Sequence, residues 1–395
     1  MKSSQPIQME QLFQIMEGRR RFTLGLPVSR KKPFTMTVCT PEGVSMIVSQ
    51  GIEVVIERGV GESIHYEDTR YARAGARVSS RTEAFGCDVV LYSAIPRPEE
   101  ISCLKPHSIL LTLGCQGNEI SRPVQQLLME RHITVIALDR VRDRRGLYPL
   151  ADILEEASGR ASITAATSLL ANPATGKGIL LGGVAGVNPC EVVILGTGMA
   201  ALAAARSVIG LGGMVRLFDS DPYCLRTAIS ELGPAVIGSA LHPVVLGHAL
   251  SSADVIVVTR IARRFRIDES VVEQMKKGVI LFDLSARYGI SGMFPTLECH
   301  EVAEALEQGI APGSNICFIN PVSAVPRTAA MAMTNDIIPI IDRLFGGGQG
   351  LVNVLKTDSG LRSSVLFYRG RTVSRELADT LGIKWVDINL LLSFS

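Results

Sequence analysis

One short run constrains this chain more than any other: Gly196-Thr-Gly-Met-Ala-Ala201. Residues 190–195 (CEVVIL) precede it and read as a buried strand, because a β-branched apolar run ends there in glycine. A small-residue helix, AALAAARSVIG, follows and stops at Gly212-Gly213. Residues 214–218 make a second strand that ends at Asp219. Strand, glycine turn, helix, strand and acid within about 30 residues is the layout of a dinucleotide-binding βαβ unit.

Each residue of that unit has a physical task. Gly196 permits the tight turn out of the strand, and Gly198 lets the backbone approach a pyrophosphate. The free N–H groups and dipole of the helix N-terminus then favour the negative charge. Thr197 and Met199 complete the turn, and Ala201 holds the third position, where small size allows close helix–strand packing. Asp219 lies 21 residues after Gly198, where a carboxylate accepts hydrogen bonds from ribose hydroxyls. An acid there repels a 2′-phosphate, so NAD is the expected cofactor rather than NADP. Arg216, three residues back, softens that preference slightly.

Bulk properties exclude several classes. A chain of 395 residues exceeds one compact core, so two domains are expected. Hydrophobic residues make up 47% and charged residues 20%, a globular balance. A net charge of +2 gives no footing for nucleic acid or a membrane surface. No uninterrupted apolar run reaches the ~18 residues of a spanning helix. The N-terminal MKSSQPIQMEQ lacks the apolar core of a signal peptide. The eight cysteines, at 39, 87, 103, 115, 190, 224, 299 and 317, are scattered without a C-x-x-C pair. Reduced thiols, no metal and a cytoplasmic location are the expectations. His107, His242, His248 and His300 have no partner at metal or catalytic spacing, and His65 and His132 read as surface residues.

Along the chain, residues 1–21 include a polar helix, and residues 22–27 (FTLGLP) open a first strand. After the basic loop Arg30-Lys-Lys32, residues 34–39 read as a second strand. Thr40-Pro-Glu-Gly caps and starts a helix that runs to Gly51. Strands follow at 52–56, 88–92, 109–113 and 133–138, with a short helix at TRYARAG. Strands spaced by helix-length segments imply parallel pairing and an α/β domain. Residues 150–171 form one long helix that bridges two domains. Further strands at AVIGS, ADVIVVT and GVILFDLS extend the second sheet. A helix follows Asn320, and the SVLFYRGRTVSRELADTLG tail returns to the first domain.

Several motifs, spread over about residues 22–385, resemble the alanine dehydrogenase family, which includes the soluble domain of nicotinamide nucleotide transhydrogenase. GLPVSRKKPFTMTVCTPEGV is similar to its opening segment. GKGILLGGVAGVNPCEVVILGTGMAA is similar to its glycine-rich nucleotide segment, and Asn320-Pro-Val-Ser-Ala-Val-Pro-Arg-Thr328 to its N-x-P-x-x-V-P-R-T. The resemblance implies two Rossmann-like domains with parallel sheets and an active-site cleft between them. It implies a substrate-type domain from residues 22–160 and 320–395 and an NAD domain from 161–319, which leaves the polar helix of residues 1–21 as an N-terminal extension outside the main fold. The cluster Arg260-Ile-Ala-Arg-Arg-Phe-Arg266 reads as a solvated loop, with phosphate binding as the alternative that the resemblance implies. Homo-oligomers and a small carboxylate ligand are implied too.

The departures carry as much information as the match. The family's carboxylate-binding arginine falls at Met36 by gapless counting, its substrate-site lysine at Ala94, its acid/base histidine at Cys115, and its aspartate beside the nicotinamide at Arg287. A cofactor-contacting serine in the bridging helix is replaced by Glu155. Methionine makes no bidentate bond to a carboxylate, alanine carries no charge, and a thiol moves protons poorly at its usual pKa. Cys115 follows an apolar strand, which favours an inert core thiol. Two functions are therefore expected as alternatives. One is an NAD-binding sensor or partner-binding protein that does not oxidise alanine. The other is an oxidoreductase acting on a different amino acid or 2-oxo acid, with Arg287 anchoring the carboxylate and Arg30 or Lys31 assisting.

Overall fold

The computed structural model describes residues 22–29, 36–113, 120–173, 177–259, 267–285, 291–299, 314–346 and 350–393. Its strands, in chain order, are β1 (Thr23–Leu26), β2 (Glu53–Glu57), β3 (Arg77–Ser79), β4 (Val89–Tyr92), β5 (Ile109–Thr112), β6 (Thr134–Ala137), β7 (Glu191–Leu195) and β8 (Met214–Asp219). They continue as β9 (Val236–Ala240), β10 (Val255–Val258), β11 (Ile280–Asp283), β12 (Thr296–Glu298), β13 (Ile316–Ile319), β14 (Val365–Tyr368) and β15 (Arg371–Thr372). Two compact units result, one from Met1–Leu150 with Ala330–Ser395 and one from Ala151–Ala329.

The first unit's sheet has the order β15-β14-β6-β5-β4-β1-β2-β3, and the second's is β12-β13-β11-β10-β7-β8-β9. Both contain the five-strand order 3-2-1-4-5 of a doubly wound nucleotide fold, which the first unit continues with its sixth strand, β6, and the second with β13 and then β12 at the edge. Every pairing between these strands is parallel except those of β14, which runs antiparallel to β6 and β15. Both are thus Rossmann-like α/β sheets, as the strand spacing predicts. In each, the strand order reverses beside the first strand, at β1 in one unit and β7 in the other. Ligands of such sheets bind outside the carboxyl ends of the strands at that point.

The central strands are short and apolar on both faces, as parallel strands covered by helices must be. Val192 to Leu195 are fully buried, and so are Val255 to Val258. Close backbone packing fixes one layer of the first unit. Gly25 of β1 lies against the helix Arg81–Phe85, and a Cβ placed on it would stand 1.8 Å from the Ala84 carbonyl oxygen. The helix Pro41–Ser49 is capped as the sequence predicts, with Gly43 N donating to Thr40 Oγ1 at 3.4 Å. The chain's return is held at the same place: Thr40 N donates to Thr334 Oγ1 at 3.0 Å.

One expectation needs correction. Within the stretch 34–39, expected to be a strand, the described residues 36–39 are irregular. Both sides of β1 are already taken by β2 and β4. Thr37 Oγ1 instead donates to Val60 O at 2.7 Å, and Thr40 serves the following helix. The ring of His107 stacks on that of His132, with centroids 5.0 Å apart. Arg216 binds Glu191 on the adjacent strand at 2.6 Å. The helical extension 1–21, the basic loop at 30–32, Cys115, the arginine cluster 260–266 and Arg287 lie outside the described residues.

Candidate functional site

The glycine fingerprint sits at the carboxyl end of β7. Gly196 has φ +103°, a conformation that side-chain-bearing residues rarely adopt. Its N–H donates to Phe218 O at 2.7 Å, which ties the turn to β8. Gly198 is the extended N-cap of the helix Met199–Gly210, with φ −69°, so its own backbone does not demand glycine. Among the described residues other than its chain neighbours, the one atom within 4 Å of a Cβ built on it is Glu155 Oε2, at 3.8 Å. Open space therefore lies in front of the helix N-terminus, which is what a pyrophosphate needs. Ala201 is fully buried among Val192, Ile194 and Val215, as the close-packing position of the fingerprint should be.

Asp219 ends β8 and is 8% exposed. Thr197 Oγ1 donates to its Oδ2 at 2.7 Å, and Asp221 N donates to its Oδ1 at 2.9 Å. The carboxylate is thus aimed and held before any ribose arrives. Gly196, Thr197, Gly198, Met199, Ala201 and Asp219 lie together at the carboxyl ends of β7 and β8 and the start of the helix Met199–Gly210. The role of Thr197 as the holder of Asp219 was not legible in the sequence, where it is only the middle residue of a glycine pair.

A second feature lies in the first unit, at the carboxyl ends of β1 and β2. A cavity of about 190 Å³ is bounded by Leu26 to Ser29, Met36 to Cys39, and Gly59, Val60, Glu62 and Ser63. Met36 is 7% exposed and forms part of this wall. Among the described residues the lining has no cation and one acid, Glu62. Two of its hydroxyls occupy each other, with Thr37 Oγ1 and Ser63 Oγ 3.0 Å apart. Burial pushes the Cys39 thiol up to about 12, so it stays neutral near pH 7.

The cavity wall is clamped from behind. Val28 N donates to Glu57 Oε2 at 2.8 Å, and Arg81 donates to both Val28 O (2.8 Å) and Glu57 Oε2 (2.7 Å). Arg81 also pairs with Glu100. Ala94, just beyond β4, is fully buried, and its carbonyl accepts from Thr112 Oγ1 at 2.7 Å. Among the described residues no three His, Cys, Asp or Glu gather as a metal site, and no helix is long and apolar enough to cross a membrane.

Fold and fingerprint define a protein of two doubly wound units, the second built on a dinucleotide-type βαβ core. Residues 35–155 match the family model "Alanine dehydrogenase/PNT, N-terminal domain", and residues 161–375 match its C-terminal counterpart. The chain belongs to the alanine dehydrogenase/PNT family. It is 28% identical over 371 residues to alanine dehydrogenase of Bacillus subtilis, covering 92% of this chain and 96% of that protein. To alanine dehydrogenase of Mycolicibacterium smegmatis it is 27% identical over 380 residues, covering 92% and 98%. A solved L-alanine dehydrogenase is similar with a TM-score of 0.77 at 27% identity, covering 91% of this chain and 99% of that one. A transhydrogenase from Sinorhizobium meliloti shares the fold, with a TM-score of 0.67 at 16% identity over 89% and 100% of the two chains.

The geometry at Gly198 makes a specific expectation. Gly198→Ala meets no backbone or core atom, so stability should change by less than about 0.5 kcal/mol, as for an unconstrained surface site. The added methyl fills the space of the phosphate, and NAD affinity should fall about tenfold or more. Calorimetric titration beside a thermal melt separates the two. A large loss of melting temperature would show that Gly198 serves the fold and not a ligand.

Proposed function

We propose that the chain binds NAD(H) through Gly196, Thr197, Gly198, Met199, Ala201 and Asp219, and does not oxidise alanine. It acts instead as a nicotinamide-responsive sensor or partner-binding protein. The observation that carries this reading is the cavity at Met36. A 2-amino acid needs a cation for its carboxylate, and the described lining offers methionine, aliphatic side chains, hydroxyls and one acid. The aimed carboxylate of Asp219 supports NAD over NADP, because a 2′-phosphate placed there meets a fixed negative charge.

A second reading is favoured by the cavity itself. A wall held by the Arg81–Glu57 clamp keeps a formed pocket, which suits an oxidoreductase whose substrate is an amino acid or 2-oxo acid other than alanine. Calorimetry of the full chain with NAD, NADH and NADP tests the first reading. NAD or NADH binding with at least about tenfold weaker NADP supports it. No heat at millimolar NAD or NADH removes it. A screen of amino acids and 2-oxo acids, read at the nicotinamide absorbance, tests the second.

A further inference from the structure

One residue of the fingerprint belongs to the glycine turn by its backbone and to the acid by its side chain. Thr197 lies between the two glycines, and Gly196 N ties that turn to β8 by donating to Phe218 O at 2.7 Å. Thr197 Oγ1 reaches the acid that ends β8 and donates to Asp219 Oδ2 at 2.7 Å. The other carboxylate oxygen, Oδ1, accepts from Asp221 N at 2.9 Å and lies 3.5 Å from Ser220 Oγ. One good donor on each oxygen fixes the plane of a carboxylate, whose terminal torsion is otherwise broad. An ionised carboxylate has about four lone-pair sites. Once the long Ser220 contact yields, one site is open on each oxygen, which matches the neighbouring 2′- and 3′-hydroxyls of a ribose.

We propose that Thr197 is a positioning residue that sets the choice between NAD and NADP, acting through Asp219. The inference rests on the NAD-binding reading and adds to it the group that makes Asp219 selective. An acid rejects a 2′-phosphate only while its charge stays where that phosphate must go. Without the Thr197 hydroxyl, only Oδ1 keeps a donor at ordinary distance, and the carboxyl group is free to turn about its Cβ–Cγ bond. A turned carboxylate offers the ribose one oxygen where the held one offers two, so NAD loses affinity. It also swings away from a 2′-phosphate, so NADP loses little. Discrimination thus depends on a hydroxyl that need not touch the nucleotide. Serine at this position keeps the donor, whereas valine keeps the shape and removes it.

Titration calorimetry of the full chain with NAD and with NADP tests the proposal on the parent, Thr197→Val, Thr197→Ser and Asp219→Ala, with Thr197→Val also made on Asp219→Ala. Thr197→Val should weaken NAD about fivefold or more and NADP by less than about twofold, so the ratio of the two affinities contracts. Thr197→Ser should keep the parent ratio within about twofold. On Asp219→Ala the hydroxyl has no carboxylate to hold, and Thr197→Val should change the ratio no further. An unchanged ratio in Thr197→Val would overturn the role of Thr197 and leave the NAD reading standing. Equal contraction in Thr197→Ser and Thr197→Val would overturn it as well, and so would further contraction on Asp219→Ala. Absence of NAD binding in the parent would instead overturn the NAD reading itself.

Discussion

Supplied with alanine and NAD at alkaline pH, or with pyruvate, ammonium and NADH near neutrality, the protein is expected to turn over at background rate. The reason is local chemistry. The arginine implied by the resemblance falls at Met36, a buried thioether in a cavity wall without a cation among its described residues. A charge-assisted pair to a carboxylate contributes about 1.5–3 kcal/mol, so losing it costs roughly 10- to 150-fold. The implied lysine falls at Ala94, which is fully buried and holds Thr112 through its carbonyl. Replacing a positioned acid/base, as implied at Cys115, costs about 10²–10⁴-fold. These losses overlap when residues act as a unit, and even the largest alone removes most of the rate. A kcat of about 1–10³ s⁻¹, ordinary for an enzyme, would overturn the assignment of Met36, Ala94, Cys115 and Arg287 to the substrate positions. On the same reasoning, restoring Arg, Lys, His and Asp at those four places should bring back measurable oxidation.

Gly25→Ala should be the most damaging single-methyl change in the first unit. The new Cβ would stand 1.8 Å from the Ala84 carbonyl oxygen, and backbone cannot rotate aside as a side chain can. Overpacking of this kind costs about 3 kcal/mol or more. For a unit of this size that corresponds to a fall of about 6–12 °C in Tm. β1 pairs with both β2 and β4 at the centre of its sheet, so the damage should reach the cavity beyond Leu26. Differential scanning calorimetry measures it directly. A variant that melts with the parent would show that the β1 layer is looser than its spacing indicates.

The nucleotide half of the fold was legible because its signals are local. Gly196 needs its left-handed φ, residues 192–195 are uniformly apolar, and Asp219 ends the next strand, all within a few turns of chain. Elements of ordinary length followed from periodicity, among them the long helix ending at Ala171 and the Thr40-capped helix. Very short ones did not: β3, β13 and the helix Arg81–Phe85 are too brief for periodicity to stand out. Residues 34–39 misled because FTMTVC alternates like a strand, whereas Thr37 spends its hydroxyl on Val60 and Ser63. The clamp behind the cavity was invisible for a different reason. Arg81, Glu57 and Val28 are 24 and 53 residues apart, and nothing in the local pattern joins them. Thr197 was visible only as a member of the fingerprint, because its bond to Asp219 depends on how two strand ends lie side by side.

The placement of β14 has a consequence for how the chain is made. This strand completes the first unit's sheet beside β6, and next to it Arg369 N donates to Thr134 Oγ1 across 235 positions of sequence. Every strand of the second unit leaves the ribosome within that interval. The second unit can therefore finish its sheet while the first still has β6 as an open edge, a row of unpaired backbone groups that invites mispairing. Nascent protein stalled before Val365 is thus a folded nucleotide unit tethered to an unfinished one, and the demand for chaperone protection should fall on residues 22–150.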